Sequence, residues 1–103
     1  MYVVKLSVRG RDLQALHEFV EELRRNCETH ARINPVSGVL SLDRCLIKVK
    51  LGTVPEELTF IRRFEMGAQL DVELLCEDPR SAVNVVNLVV QICRARSLGV
   101  ELV

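Results

Sequence analysis

Along residues 2–9 hydrophobic and polar positions alternate. Tyr2, Val4, Leu6 and Val8 fall on one side, and Val3, Lys5, Ser7 and Arg9 on the other. A period of two with one apolar side predicts a half-buried strand. Gly10-Arg11 breaks the pattern, and Asp12 suits a helix cap because its carboxylate accepts from unpaired backbone N–H groups. Apolar residues then step by three and four through Leu13, Leu16, Val20, Leu23 and Cys27, which predicts an amphipathic helix ending near Asn26. Glu18, Glu21, Glu22, Arg24 and Arg25 mark its solvated side, of mixed charge.

Two further segments alternate. Cys45, Ile47, Val49 and Leu51 interleave with Leu46, Lys48 and Lys50, and Leu70, Val72 and Leu74 with Asp71, Glu73 and Leu75. Each predicts a strand. Residues 29–43 read less cleanly. Ala31-Arg32-Ile33 suits a strand start, while Asn34-Pro35 and Ser37-Gly38 are turn formers. Val39, Leu40 and Leu42 then put apolar side chains where a loop should be polar, so the segment is either an extended hairpin docked on something or more strand. Residues 52–57 read as a turn and 58–65 as a weaker strand or a short excursion.

The longest feature is 78–99. Asp78-Pro79 opens a helix, since Asp caps it and Pro gives up a donor the first turn does not use. Asn84, Asn87, Gln91 and Arg94 form one polar stripe, with apolar residues elsewhere. Ser97-Leu98-Gly99 closes it, with Gly suited to the left-handed turn. The polar stripe interrupts the run before it reaches the ~18 apolar residues of a membrane span, so the pattern predicts a core helix. Residues 100–103 suit a short last strand.

The order strand, helix, strand, strand, helix, strand predicts an α+β fold over residues 1–103. It is a ferredoxin-like βαββαβ arrangement, with two helices on one face of a four-stranded, mainly antiparallel sheet. The other face would carry Lys5, Ser7, Arg9, Lys48, Lys50, Asp71 and Glu73, and so be wet or used for partners.

Charge and chemistry narrow the function. Fourteen basic residues balance fourteen acidic ones, so no whole-protein field draws in nucleic acid. Cys27, Cys45, Cys76 and Cys93 form no CxxC pair, which argues against a zinc knuckle. At or beside apolar positions they read as small free hydrophobes in a reducing compartment. The chain enters a strand at Tyr2, so no targeting segment is expected. His17 and His30 are isolated, and Asp71 and Glu73 read as a solvated pair. No nucleophilic triad, phosphate-cradling glycine loop or metal set assembles. The aromatics, Tyr2, Phe19, Phe60 and Phe64, do not form a base-stacking pair on the sheet.

Two resemblances follow. Val8-Arg9-Gly10-Arg11 followed by Gln14 looks like the start of the acylphosphatase phosphate loop. The second Gly of that loop is replaced near Ala15, and no Arg follows until Arg24. The broader resemblance covers nearly the whole chain. Lys5-Leu6-Ser7-Val8 with Asp12, Ala31-Arg32-Ile33, residues 34–40, Leu70-Asp71-Val72, Asp78-Pro79 and residues 98–102 together resemble the small-subunit ribosomal protein ten (S-ten) family. That family's basic hairpin is reduced here nearly to Arg44, and of its second basic stretch Arg62-Arg63 remain.

The S-ten resemblance implies a non-enzymatic structural component of a ribosome, intracellular, in the cytoplasm or the mitochondrion, without cofactor or metal. Val36, Val39, Leu40 and Leu42 would dock on neighbouring ribosomal proteins. Arg32, Arg44, Lys48, Arg62 and Arg63 would contact rRNA phosphates. The alternative is a ferredoxin-like protein-interaction or small-molecule-binding module acting as a homodimer, with residues 36–42 as its seam.

Overall fold

Among the described residues, eight elements form where the hydrophobic period changes. β1 is Tyr2–Gly10, α1 Leu13–Arg25, β2 Thr29–Asn34, β3 Ser37–Leu42, β4 Cys45–Leu51, β5 Ala68–Cys76, α2 Pro79–Ala95 and β6 Gly99–Leu102. They come from a computed structural model that describes residues 1–34, 37–52 and 67–103, with backbone alone for 29–34. The strands form one sheet in the order β2-β3-β4-β5-β1-β6, every neighbouring pair antiparallel. The fold is α+β as expected, but the sheet has six strands among the described residues, not four.

The two extra strands are the β2–β3 hairpin, which lengthens the sheet beyond β4. β3 joins β4 through Asp43 and Arg44, both at positive φ (48° and 61°). Two left-handed residues in a two-residue loop match the right-handed twist of the strands they join. The apolar residues of 39–42 therefore belong to a strand interior to the sheet, the second of the two readings of this segment, and not to an extended docking loop. The stretch 58–65, read as a weaker strand or a short excursion, lies outside the described residues.

One face of the sheet carries the core. Leu6 and Val8 of β1, Ile47 and Val49 of β4, and Leu70, Val72 and Leu74 of β5 all point there, each at most 3% exposed. Leu16, Phe19, Val20 and Leu23 of α1 and Val85, Val89, Ile92 and Cys93 of α2 close over them in one cluster. Phe19, fully buried, joins the stripe read from the sequence. Burying a side chain of this size stabilises by about 1.5–3 kcal/mol. The core, more than helix propensity, therefore holds the β-branched α2.

The helix ends are fixed locally. The Asp12 carboxylate accepts from Ala15 N–H (2.9 Å) and the Asp78 carboxylate from Ser81 N–H (2.8 Å), with Pro79 opening α2. At the far end of α2, Leu98 N–H donates to the Cys93 carbonyl (2.8 Å) and Ser97 N–H to that of Arg94 (3.3 Å). That is the Schellman pattern, and Ser97 (φ 57°), not Gly99, takes the left-handed position. Gly99 instead starts β6 opposite Arg9. Arg96 then reaches back to Glu22 on α1 (2.7 Å), which ties the two helices together.

Gly67 needs to be glycine. Its φ is +65°, and a Cβ there would lie 2.3 Å from the Gly10 carbonyl oxygen and 2.5 Å from that of Arg11. The backbone entering β5 thus rests against the β1–α1 loop.

The cysteines differ from expectation. Cys45 and Cys76 form a disulfide, while Cys27 and Cys93 are free. The pair faces across β4 and β5 at the edge of the core, a juxtaposition only the strand register creates. The cysteine argument for a reducing compartment therefore fails, since such bonds persist where conditions oxidise. Among the described residues, no helix is long and apolar enough to cross a membrane.

Candidate interaction surface

Strand parity sends every second side chain to the face the helices do not cover. Three rows cross it. Leu46 of β4, Leu75 of β5 and Val3 of β1 form an apolar row. Next come Lys48, Glu73 and Lys5, with Val39 of β3 beside Lys48. The third row is Lys50, Asp71, Ser7 and Glu101. The polar set expected on this face is all found there by parity, although Ser7 is buried at 4% exposed, and Arg9 pairs with Glu101 at its far end.

Two features mark this face: the lysines, expected there from parity, and an apolar row that was not expected. The chain has three lysines, and all three, Lys5, Lys48 and Lys50, stand on it and are exposed. The eleven other cations are arginines, of which Arg9 also stands on this face, at its far end. The second feature is the apolar row: Val3 is 55% and Leu46 39% exposed, with Leu75 half-buried between them. Both residue sets were visible in the alternation, but only the register aligns them across strands. Between the two charged rows runs a furrow of about 670 Å³, lined by Val39, Lys48, Lys50, Asp71, Glu73 and Lys5.

Charges of opposite sign face each other along these rows, Lys48 and Lys5 on either side of Glu73, and Lys50 beside Asp71. Such neighbours favour the sheet by a few tenths of a kcal/mol each, about 0.2–1. Asp71 also accepts from the Gln69 amide (3.3 Å). The furrow holds both signs, so it does not concentrate positive potential as a phosphate groove does.

The residues expected to dock or to hold RNA separate in space. Val39 stands on the open face. Leu40 turns the other way and is 2% exposed in the core, so it presents nothing to a partner; this corrects the docking set. Leu42 packs half-buried against that core. β3 is hydrogen-bonded on both edges, to β2 and to β4, so residues 37–42 offer no free edge as a dimer seam. Arg44 projects from the β3–β4 turn, 69% exposed, and lies 3.8 Å from Asp78. Lys48 is on the open face, far along its strand from Arg44. Arg32 occupies a β2 position opposite Gly38. Val36, Arg62 and Arg63 lie outside the described residues.

The β1–α1 loop offers no phosphate cradle of the acylphosphatase kind. It consists of Arg11 and Asp12, and the Asp12 carboxylate already takes the Ala15 N–H. Arg9 is engaged with Glu101. His17 sits on α1 3.6 Å from Glu21. No group of His, Cys, Asp and Glu suited to a metal occurs among the described residues. What the geometry offers is a furrowed, amphipathic, charge-balanced surface. Comparison of the chain with family models, curated proteins and solved structures finds no match.

Proposed function

We propose that this chain is a non-enzymatic protein-interaction module of ferredoxin-like design whose open sheet face is its contact surface. Support for the design comes from the inner strands. With the β2–β3 hairpin set aside, β1, β4, β5 and β6 count as strands one to four in the order two-three-one-four, and both helices lie on one face. The observation that carries the function is the uncovered row of Val3, Leu75 and Leu46, flanked by Lys48, Glu73 and Lys5 with Lys50 one row further on. An apolar row rimmed by charge is the usual composition of a protein contact site.

The S-ten-like ribosomal reading is the second. Exposed Arg44 and Lys48 favour it, as cations available to phosphates. In that setting the open face would meet a neighbouring ribosomal protein, and phosphate contact would be confined to a few side chains.

Gradient sedimentation of cell lysate tests both. The wild-type chain is expected in an assembly larger than its own 11.7 kDa. A Leu46→Arg/Leu75→Arg variant with an unchanged circular dichroism spectrum is expected to run as the free chain. Val83→Arg, on the exposed side of α2, is expected to leave the assembly intact. Co-migration with a ribosomal subunit selects the second reading. A face variant that sediments like the wild type overturns the open-face account.

A further inference from the structure

We infer that the open face docks on the same face of a second copy of this chain, about a two-fold axis parallel to the strands and midway between β4 and β5. This rests on the open face being the contact surface and names its partner.

The observation is an antisymmetry between two neighbouring strands. β4 presents Leu46, Lys48 and Lys50, and β5 presents Leu75, Glu73 and Asp71, matched residue by residue across the ladder. One strand is cationic and the other anionic at each charged level, with leucines opposed at the third. A two-fold axis along the strands keeps each level and exchanges the two strands. It lays Lys48 over Glu73 of the second copy, Lys50 over its Asp71 and Leu46 over its Leu75, and each contact occurs twice. An axis across the strands between the charged rows does the reverse. It sets Lys48 against Lys50 and Glu73 against Asp71, like charge on like, which repels. The pattern therefore selects one mode of self-association.

Three further features agree. Parallel strands in the two facing sheets match the aligned way in which twisted sheets stack, within about 30°. Among the described residues, Lys48, Lys50 and Glu73 make no close ion pair inside the chain, so beyond their cross-strand attraction their charges are open to a partner. The furrow between the charged rows gives lysine stems of the second copy room to lie down. With a net charge of zero, two copies approach without long-range repulsion. A strongly anionic or cationic partner finds no matching field on this face.

A charge-swap experiment by analytical ultracentrifugation tests the inference on the purified full chain. The wild type is expected at twice the chain mass at micromolar concentration, with dimer lost in Lys48→Glu/Lys50→Glu and in Asp71→Lys/Glu73→Lys. Mixing the two variants one to one is expected to restore the dimer, because each then supplies the charge the other lacks. Leu46→Arg, which leaves every charged row in place, is a second probe and is expected to lose dimer by itself. A monomeric wild type, a variant that dimerises alone as the wild type does, or folded variants that fail to pair overturns the inference. A monomeric wild type whose face variant still leaves its cellular assembly would overturn self-docking while retaining the open face as the contact surface.

Discussion

Cys45 and Cys76 stand directly opposite each other on β4 and β5, their Cα atoms 4.1 Å apart, and are joined by a disulfide. The bond lies at the busiest corner of the fold. Glu77 N–H donates to the Arg44 carbonyl (3.1 Å), Arg44 approaches Asp78, and the Asn84 amide reaches Asp43 (3.1 Å). The β3–β4 turn is thereby fastened to the start of α2.

We expect the Cys45→Ala/Cys76→Ala variant to lose about 2–4 kcal/mol of stability, because the bond restricts the unfolded chain across a separation of 31 residues. Urea denaturation measures it. Alkylation of the unreduced, denatured protein should modify two cysteines, Cys27 and Cys93, and four after reduction. Four without reduction would remove the bond from the account.

The two free thiols should be inert near neutral pH. Burial pushes both Cys27 and Cys93 up to about 11, with neighbouring Glu28 adding to the effect at Cys27. The thiolate is the reactive form, so a thiol reagent applied to the folded protein at pH 8 should react far more slowly than with the denatured chain. A thiol pKa raised by folding stabilises the native state below the ordinary value of 9.0. That stability is lost as pH rises from 9.0 through about 11. Alkaline titration of the melting temperature, with Cys93→Ala as control, reads this window.

Asp78 works in the opposite direction. The Ser81 backbone N–H holds its carboxyl below the ordinary 3.8, aided by the Ser81 hydroxyl, Arg44 and the Arg80 N–H against some desolvation. A lowered carboxyl stabilises the fold above its ordinary value, and that stability fades as acid protonates it below 3.8. Asp78→Ala should lower the melting temperature at pH 7 and flatten its fall in acid. Asp78→Asn, which keeps a capping oxygen, should retain much of the pH 7 stability.

Two positions set the scale for the fold. Phe19→Ala should cost about 3–5 kcal/mol, since the ring is fully buried between α1 and the sheet. Gly67→Ala should cost at least about 1–2 kcal/mol from the left-handed backbone alone, with the contact against the Gly10 carbonyl adding to it. Chemical denaturation gives both values. A neutral Gly67→Ala would mean that β5 does not rest on the β1–α1 loop.

Periodicity revealed β1, β4, β5 and both helices because each has one clearly apolar side. It left residues 29–43 open between an extended hairpin and more strand, since the β3–β4 turn uses Asp43 and Arg44 where sequence reading looks for Asn-Gly. Ser97 likewise took a left-handed position that glycine usually fills. The disulfide, the burial of Leu40 and the apolar row of Val3, Leu75 and Leu46 depend on which residues face one another across strands. That is a property of register and is not written in any one segment. The polar set of the open face needed no register, only parity, and was legible from the start.

The lysines allow the open face to be tested directly, since Lys5, Lys48 and Lys50 are the only lysines and all lie on it. We would acetylate the chain in its native assembly and again after dissociation, and locate the labels by mass spectrometry. If the open face is the contact surface, Lys48 and Lys50 are slow to react in the assembly and fast once it dissociates, with Lys5 following them. Equal labelling of all three in both states, in an assembly shown to be intact, would contradict it.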